Sequence, residues 1–141
     1  MEELSGPLGA PAKGDVTGAE ARASARRVLD RLKPPVSAER REDVLSVVSE
    51  LIANARLHGG GVTDFDVRFH LGALVVEVSD RSPCAPRTSP WMPAQPGGFG
   101  WRLVKQLADR AHVRFHDGGK TVNATFFLGP SRFPRPATGM P

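Results

Sequence analysis

The sequence predicts an α+β fold, a two-layer sandwich in which helices cover one face of a mixed or antiparallel sheet. The chain has 141 residues, of which 40% are hydrophobic and 24% are charged, as is typical of one globular domain. Its hydrophobic periodicity indicates the order helix, helix, strand, strand, loop, helix, strand, strand. Because consecutive strands joined by short turns form hairpins, their shared apolar face needs a layer of helices to bury it.

The first helix is predicted from the capping pattern at its start. Residues 1–16 are rich in glycine, proline and alanine, so we expect a flexible N-terminal segment there. Thr17 followed by Glu20 is a capping box, which opens a helix. We expect this helix to run to about Lys33, because the Pro34–Pro35 pair cannot continue its hydrogen-bond ladder.

A second helix is predicted from its cap at Ser37 to His58, where three consecutive glycines end it. Glu50, Asn54 and His58 are spaced four apart along the border of its apolar face. From the residues alone, this row is either a solvated acid, an edge amide and a helix-end cation, or one wall of a ligand pocket. Amide and carboxylate oxygens suit Mg²⁺, which usually shares its coordination shell with phosphates.

The middle of the chain predicts a hairpin followed by a long loop. Residues 62–70 alternate between apolar and polar, and a short connection leads to a second strand that ends at Asp80. Residues 81–97 contain five prolines, which exclude a helix or an interior strand. A loop of this length in a small domain is usually functional or disordered. Asp80 is either a surface acid or an acceptor for an exocyclic amine.

The last part of the chain predicts a helix and a closing hairpin. The sequence GGFG at 97–100 directly precedes a helix with apolar spacing through Ala111. Glycines there let backbone N–H groups approach an anion, or they serve as a hinge. GGKT at 118–121 lacks the earlier glycine and the following helix of a phosphate loop, so we interpret it as a hairpin turn. Residues 129–141 are expected to be a disordered tail.

Composition narrows the classes of function. The net charge of +4 and the pI near 10 invite a nucleic-acid interpretation, but the basic residues are scattered among acids and lack interleaved aromatics. Direct nucleic-acid binding is therefore not expected. The single cysteine, Cys84, excludes an internal disulfide framework. No apolar run is long enough to span a membrane and no secretion signal is evident, so we expect a cytoplasmic protein.

The order of these motifs is more specific than any one of them. E-x-x-x-N-A-x-x-H on a helix precedes a strand that ends in Asp-x-Ser-Pro. A long loop, G-G-x-G before a helix, and G-K-T-V follow. This order resembles the GHKL ATPase superfamily, which has the histidine-kinase-like ATPase or Bergerat fold. Within it, the chain is similar to the small bacterial anti-sigma-factor serine kinases, especially the actinobacterial ATP-binding regulators. The resemblance covers residues 17–128, although the N-terminal strand typical of the family is not apparent in residues 1–16.

The resemblance implies ATP and Mg²⁺ as cofactors and a role for each matching residue. Asn54 would coordinate a magnesium ion that bridges the ATP phosphates. Glu50 would be the general base for the attacking hydroxyl. Asp80 would accept a hydrogen bond from the adenine amine, with Thr121 supporting it. Nucleotide would also be bound by residues Gly97, Gly98, Phe99, Gly100 and Trp101, with Gly98 and Gly100 cradling the phosphates under a lid formed by residues 81–97.

The implied function is a partner switch. The protein would hold a sigma factor or similar regulator, and it would phosphorylate a serine or threonine on a small anti-anti-sigma-type antagonist. Family members commonly dimerise, so a homodimer is also implied. The alternative is a non-catalytic interaction module of the same fold, with nucleotide as a conformational ligand or absent. An ATPase or a histidine-kinase catalytic fragment is a third interpretation, which is disfavoured because no phosphoacceptor helix precedes the domain.

Overall fold

The computed structural model describes residues 8–9, 12–13, 15–85 and 100–128. Three helices and six strands occur in this part of the chain. In chain order they are β1 (Leu8–Gly9), β2 (Ala12–Lys13), α1 (Gly18–Asp30), α2 (Ala38–His58), β3 (Val62–His70), β4 (Ala73–Asp80), α3 (Gly100–Leu107), β5 (Arg110–His116) and β6 (Gly119–Phe127).

The strands form one antiparallel sheet in the order β1-β3-β4-β6-β5, and β2 also pairs with β3. Helix α2 packs between α1 and α3 and contacts β3, β4 and β6. The core lies between this helical layer and one face of the sheet, as the alternating burial of β4 shows. The predicted α+β two-layer sandwich is therefore confirmed, with an antiparallel rather than a mixed sheet.

Side-chain caps fix the starts of the first two helices. The Thr17 hydroxyl accepts from the Glu20 amide at 3.1 Å, and the Glu20 carboxylate accepts from the Thr17 amide at 3.0 Å. The Ser37 hydroxyl accepts from the Arg40 amide at 3.1 Å. Both predicted caps are thus confirmed. Helix α1 ends at Asp30, earlier than predicted, and the Arg31 and Leu32 amides donate to carbonyls three residues back instead of four.

The N-terminal segment supplies strands that its composition does not indicate. β1 pairs with residues 68–69 of β3, and β2 pairs with residues 64–65 of the same strand. Two-residue strands carry no readable hydrophobic period, so only pairing with β3 reveals them. The predicted tail at 129–141 and most of the predicted lid, residues 86–97, lie outside the described residues.

The third helix is shorter than its apolar spacing predicts. α3 ends at Leu107, and Ala111 belongs to β5, where it pairs with Ala124. Asp109 marks the change, because its amide donates to the Thr125 carbonyl and its carboxylate accepts from the Phe127 amide. Sheet pairing therefore overrides helical periodicity after Leu107.

Arg40 ties the start of α2 to this same corner of the molecule. Its guanidinium donates to the Asp109 carboxylate at 2.6 Å and to the Leu107 carbonyl at 3.3 Å. It also donates to the Phe127 carbonyl at 3.4 Å and lies over the Phe126 ring. One planar cation thereby joins α2, the end of α3 and the end of β6.

The other face of the sheet carries polar side chains. Arg68 pairs with Asp66 on its own strand and with Glu77 on β4. The hydrogen bond that Arg68 donates to Glu77 raises the pKa of the Arg68 guanidinium above its ordinary value, against the opposing effect of burial. A second group on this face, formed by Ser79, Thr121 and His116, is joined by hydrogen bonds. None of the described helices is both long and apolar enough to cross a membrane.

The start of β6 requires a glycine at one position. Gly119 has φ +153°, and a Cβ atom built on it would lie 1.8 Å from the Asp80 carbonyl oxygen. The preceding Gly118 has φ +89°, but a Cβ there would meet nothing within 4 Å. Both glycines adopt backbone angles that L residues disfavour, yet only Gly119 is in close contact with another strand.

We expect Gly119→Ala to lower the free energy of unfolding by about 3 kcal/mol or more, because the methyl group and the β4 backbone cannot both keep their positions. Gly118→Ala is the matched control and should cost about 1–2 kcal/mol, the strain of its backbone angle alone. Urea unfolding followed by circular dichroism measures both values. Equal losses in the two variants would contradict the close contact.

Candidate functional site

A cleft of about 330 Å³ lies between α2 and the ends of β4 and β6. Two of the three polar residues in the α2 row, Asn54 and His58, line it together with Asp80. The remaining lining residues are Leu51, Leu57, Val78, Ser82, Cys84, Ala85, Lys120 and Val122. The structure therefore brings the α2 row and the end of β4, which are distant in sequence, to one concave surface that is lined by both polar and apolar side chains.

Glu50 and Asn54 meet the first residue of α3. A Cβ atom on Gly100 would lie 2.8 Å from Asn54 Nδ2 and 2.9 Å from Glu50 Oε1. These side-chain ends therefore pack directly against the Gly100 backbone, at a helix start where amide groups lack intrahelical partners. A side chain at this position would displace the ends of the Asn54 amide and the Glu50 carboxylate.

Three atoms of this pair are buried without a hydrogen-bond partner. They are Glu50 Oε1, Asn54 Oδ1 and Asn54 Nδ2, judged over the part of the chain that the structure describes. Leaving a buried polar atom unpaired costs about 1–3 kcal/mol, so such atoms usually have a ligand or ion as partner. Two of the three atoms are oxygens, the donor type that Mg²⁺ prefers.

The residues present fit magnesium shared with a phosphate better than a metal held by protein alone. No group of three or more His, Cys, Asp or Glu residues is placed to hold a metal ion within the described ranges. Asn54 Oδ1, which is buried without a protein partner among the described residues, would offer one oxygen ligand. Mg²⁺ is commonly bound by one or two protein oxygens and completes its shell with water and phosphate oxygens.

Asp80 is almost fully buried at the other end of the cleft, with 3% of its surface exposed. Lys120 Nζ donates to both carboxylate oxygens, at 3.1 Å to Oδ1 and 2.9 Å to Oδ2, and Lys120 is itself 5% exposed. The Ser82 amide donates to Oδ1 at 2.9 Å. A buried carboxylate is costly unless it is paired, and Lys120 supplies that pairing here.

Lys120 is a cleft residue that the sequence interpretation missed, because GGKT was assigned to a hairpin turn. Position 119 already belongs to β6, so alternate residues from 120 onward point to the same face of the sheet. Val122 also lines the cleft. The signal that could have placed Lys120 beside Asp80 is the alternation of side chains along the strand, extended from Val122 back into the predicted turn.

The same alternation places Thr121 away from Asp80. Its hydroxyl hydrogen-bonds the Ser79 hydroxyl at 2.7 Å and the His116 ring at 3.0 Å, on the face opposite the cleft. The support that Thr121 was expected to give Asp80 is therefore absent in this structure. Lys120, the adjacent residue, contacts the carboxylate instead.

Gly59 has a role at the site beyond ending α2. A Cβ atom there would lie 2.5 Å from both the Cγ and the Oδ2 atoms of Asp80. The Gly59 carbonyl also accepts from the Arg81 amide at 2.8 Å, and Arg81 donates to the Gly60 carbonyl at 2.7 Å. The end of α2 thus packs directly on the end of β4, a contact that only a residue without a side chain permits.

The other predicted site residues lie at the edge of the cleft, outside its lining, or outside the described residues. His58 is exposed and lines the cleft. Trp101 is half-buried, packs against the core outside the cleft lining, and has Lys105 Nζ 5.9 Å from its ring centroid. The predicted phosphate-binding residues Gly97, Gly98 and Phe99 lie outside the described residues.

We expect Lys120→Met to lower the free energy of unfolding by about 3–5 kcal/mol, because it leaves the Asp80 carboxylate buried without its cation. Arg56→Met is the matched control: its ion pair with Asp15 is exposed and should contribute less than about 1 kcal/mol. Chemical denaturation of both variants gives the comparison. Similar small losses would mean that the Asp80–Lys120 pair is solvated in solution.

Comparison with known proteins identifies the family to which the fold belongs. A family model for the histidine kinase-like ATPase domain matches residues 11–126. The crystal structure of the RsbU and RsbW domains of Rv1364c from Mycobacterium tuberculosis is similar to 86% of this chain, with a TM-score of 0.61 and 18% identity. The histidine kinase domain of the blue-light activated histidine kinase EL346 from Erythrobacter litoralis is similar to 67% of the chain, with a TM-score of 0.46 and 24% identity.

This chain spans 32% and 47% of the lengths of those two chains. No curated protein matches it by sequence. The family model nevertheless covers most of the chain and both ends of the cleft, from the α2 row to the paired strands β4 and β6. The protein therefore belongs to the histidine kinase-like ATPase domain family, the fold family that the order of its motifs predicts.

Proposed function

We propose that this protein binds ATP with Mg²⁺ and transfers the γ-phosphoryl group to a serine or threonine of a small antagonist protein. The observation that carries the proposal is the set of buried, unpaired atoms of Glu50 and Asn54 at the start of α3. Asn54 also lines the cleft that extends to Asp80. A phosphate-binding end and a base-binding end would thus be joined by one concave surface.

The distribution of apolar and polar residues in the cleft supports a proposed position for each part of ATP. Leu51, Val78 and Val122 line the middle of the cleft and offer an apolar surface for the adenine ring. Asp80 would accept from the exocyclic amine. The phosphates would lie toward Asn54 and Gly100, where the helix start provides free amide groups.

The metal would be held by Asn54 Oδ1 together with phosphate oxygens. When bound there, Mg²⁺ supplies positive charge that offsets the charge on the phosphate oxygens during transfer. The protein's own contribution is position, because phosphoryl transfer depends mostly on alignment and charge neutralisation.

Glu50 would act as the general base. In the transfer, the hydroxyl oxygen of the acceptor forms a bond to the γ-phosphorus, and the bond between that phosphorus and the β,γ-bridging oxygen breaks. The hydroxyl proton passes to the Glu50 carboxylate, and ADP leaves with the bonding electron pair. Glu50 Oε1 suits this role because it is buried near the start of α3 and has no protein partner among the described residues.

The biological setting we propose is the partner switch implied by the motifs. The protein would bind a sigma factor or similar regulator in the cytoplasm and release it when an anti-anti-sigma-type antagonist competes. Homodimer formation is part of the same proposal. The fold similarity to a chain that contains RsbU and RsbW domains supports the fold of such a regulator, and the motif order supports its type.

Glu50→Gln tests the proposed base. We expect ATP affinity within about threefold of the wild type and a rate of transfer reduced by about 10²–10⁴, because the amide cannot accept the proton. Glu42→Gln, at an exposed position on the same helix, is the matched control and should leave transfer unchanged. Labelled ATP, Mg²⁺ and antagonists encoded beside the gene are incubated with each variant. Transfer that survives Glu50→Gln would exclude Glu50 as the base.

Asn54→Ala tests the proposed metal ligand. We expect the Mg²⁺-dependent part of the ATP affinity to fall at least about tenfold, because the variant removes a metal oxygen ligand. Binding in EDTA should change little. Isothermal titration calorimetry with and without Mg²⁺ separates the two effects. Strong ATP binding without transfer to any antagonist would favour the non-catalytic interaction module, and absence of any nucleotide binding would contradict the proposed function.

A further inference from the structure

The Asp80–Lys120 pair at the base of the cleft has one hydrogen-bond acceptor and one donor left over. A carboxylate offers about four acceptor positions, two on each oxygen. Oδ1 accepts from the Ser82 amide and from Lys120 Nζ, whereas Oδ2 accepts from Lys120 Nζ alone. The ammonium group has three donors, and two of them are used on Asp80. Among the described residues, Oδ2 therefore keeps one acceptor position and Nζ keeps one proton.

These two unused positions are on neighbouring atoms, because Nζ and Oδ2 are only 2.9 Å apart. Asp80 and Lys120 both line the cleft, so a ligand there can reach the pair from one side. The protein thus offers an acceptor beside a donor, which is complementary to a flat ring that has a donor beside an acceptor on one edge. The amidine edge of adenine does this, with its exocyclic amine next to the ring nitrogen N1.

We propose that Lys120 is a base-recognition residue, whose ammonium donates a hydrogen bond to adenine N1 while Asp80 Oδ2 accepts from the adenine amine. This inference rests on the proposed function, since it assigns a contact within the same ATP site. It gives the buried lysine a role beyond compensating the charge of Asp80. It also gives the base two direct contacts with protein side chains.

The charge balance of the pair favours a neutral base. An unpaired buried carboxylate would have to recover its lost solvation from the ligand, which an uncharged ring cannot supply. With Lys120 in place, the pair has no net charge, and its remaining donor and acceptor are strong because each belongs to an ionised group. The pair therefore provides directional recognition without requiring a charged partner.

The test compares ATP with two analogues on the unmodified full chain, in Mg²⁺, by isothermal titration calorimetry. 1-Deaza-ATP keeps the amine but replaces N1 with a C–H group, so it should bind at least about tenfold more weakly, since a hydrogen bond to a charged group is lost. 7-Deaza-ATP keeps both N1 and the amine and is the matched control. It should bind within about threefold of ATP.

Lys120→Met provides the second half of the comparison. In this variant the difference between ATP and 1-deaza-ATP should disappear, because the donor that distinguishes them is gone. The melting curve shows whether the variant is folded, and the analogue series on the unmodified chain decides the proposal if it is not.

Four outcomes would overturn the inference. ATP and 1-deaza-ATP of equal affinity would show that N1 has no protein donor, while leaving ATP binding and the proposed function intact. Tighter binding of ATP to Lys120→Met than to the wild type would show that Lys120 competes with the base for Asp80. Preference for GTP over ATP would show that the pair reads a lactam edge instead. Absence of binding by every nucleotide would remove the proposed function together with this inference.

Discussion

The buried ion pair of Asp80 and Lys120 is the interaction on which the site depends. The pair joins Asp80, the last residue of β4, to Lys120, the second residue of β6. Gly59, which follows the end of α2, packs directly on the Asp80 carboxylate. Three elements distant in sequence therefore meet around two opposite charges. Removal of either charge would leave the other desolvated, so this corner tolerates little change. The cleft lies where the end of α2 is held against the paired ends of β4 and β6.

At the other end of the cleft, buried polar atoms have no hydrogen-bond partner among the described residues. Helix α2 is held by its buried apolar face, which fixes the direction of Glu50 and Asn54 at the start of α3. These atoms lack protein partners in the described part of the chain. The charges at one end of the site are thus paired with each other, whereas the polar atoms at the other end have no protein partner among the described residues. Polar groups left incomplete in this way typically mark a functional site, because a fold selected only for stability would pair them.

Local chemistry made much of this structure predictable. Thr17 and Ser37 act as caps because their hydroxyls satisfy amides three residues away, and such contacts are visible in sequence. The features that were not predictable depend on distant partners. Helix α3 stops because Asp109 pairs with β6, and Gly59 is a glycine because Asp80 lies against it. Lys120 was missed because residues 118–121 were interpreted as a turn, whereas β6 begins at Gly119, so the alternation of faces already holds at Lys120 and Thr121.

The antiparallel register has a mechanical consequence. Asp80 is opposite Lys120, and the next pair along the same ladder is Ser79 and Thr121. The first pair faces the cleft, whereas the second forms hydrogen bonds with His116 on the opposite face of the sheet. Consecutive residues of a strand share one backbone, so a displacement of the first pair moves the second. A ligand that displaced the Asp80–Lys120 pair would therefore also displace the hydrogen-bonded group of Ser79, Thr121 and His116 on the opposite face of the sheet.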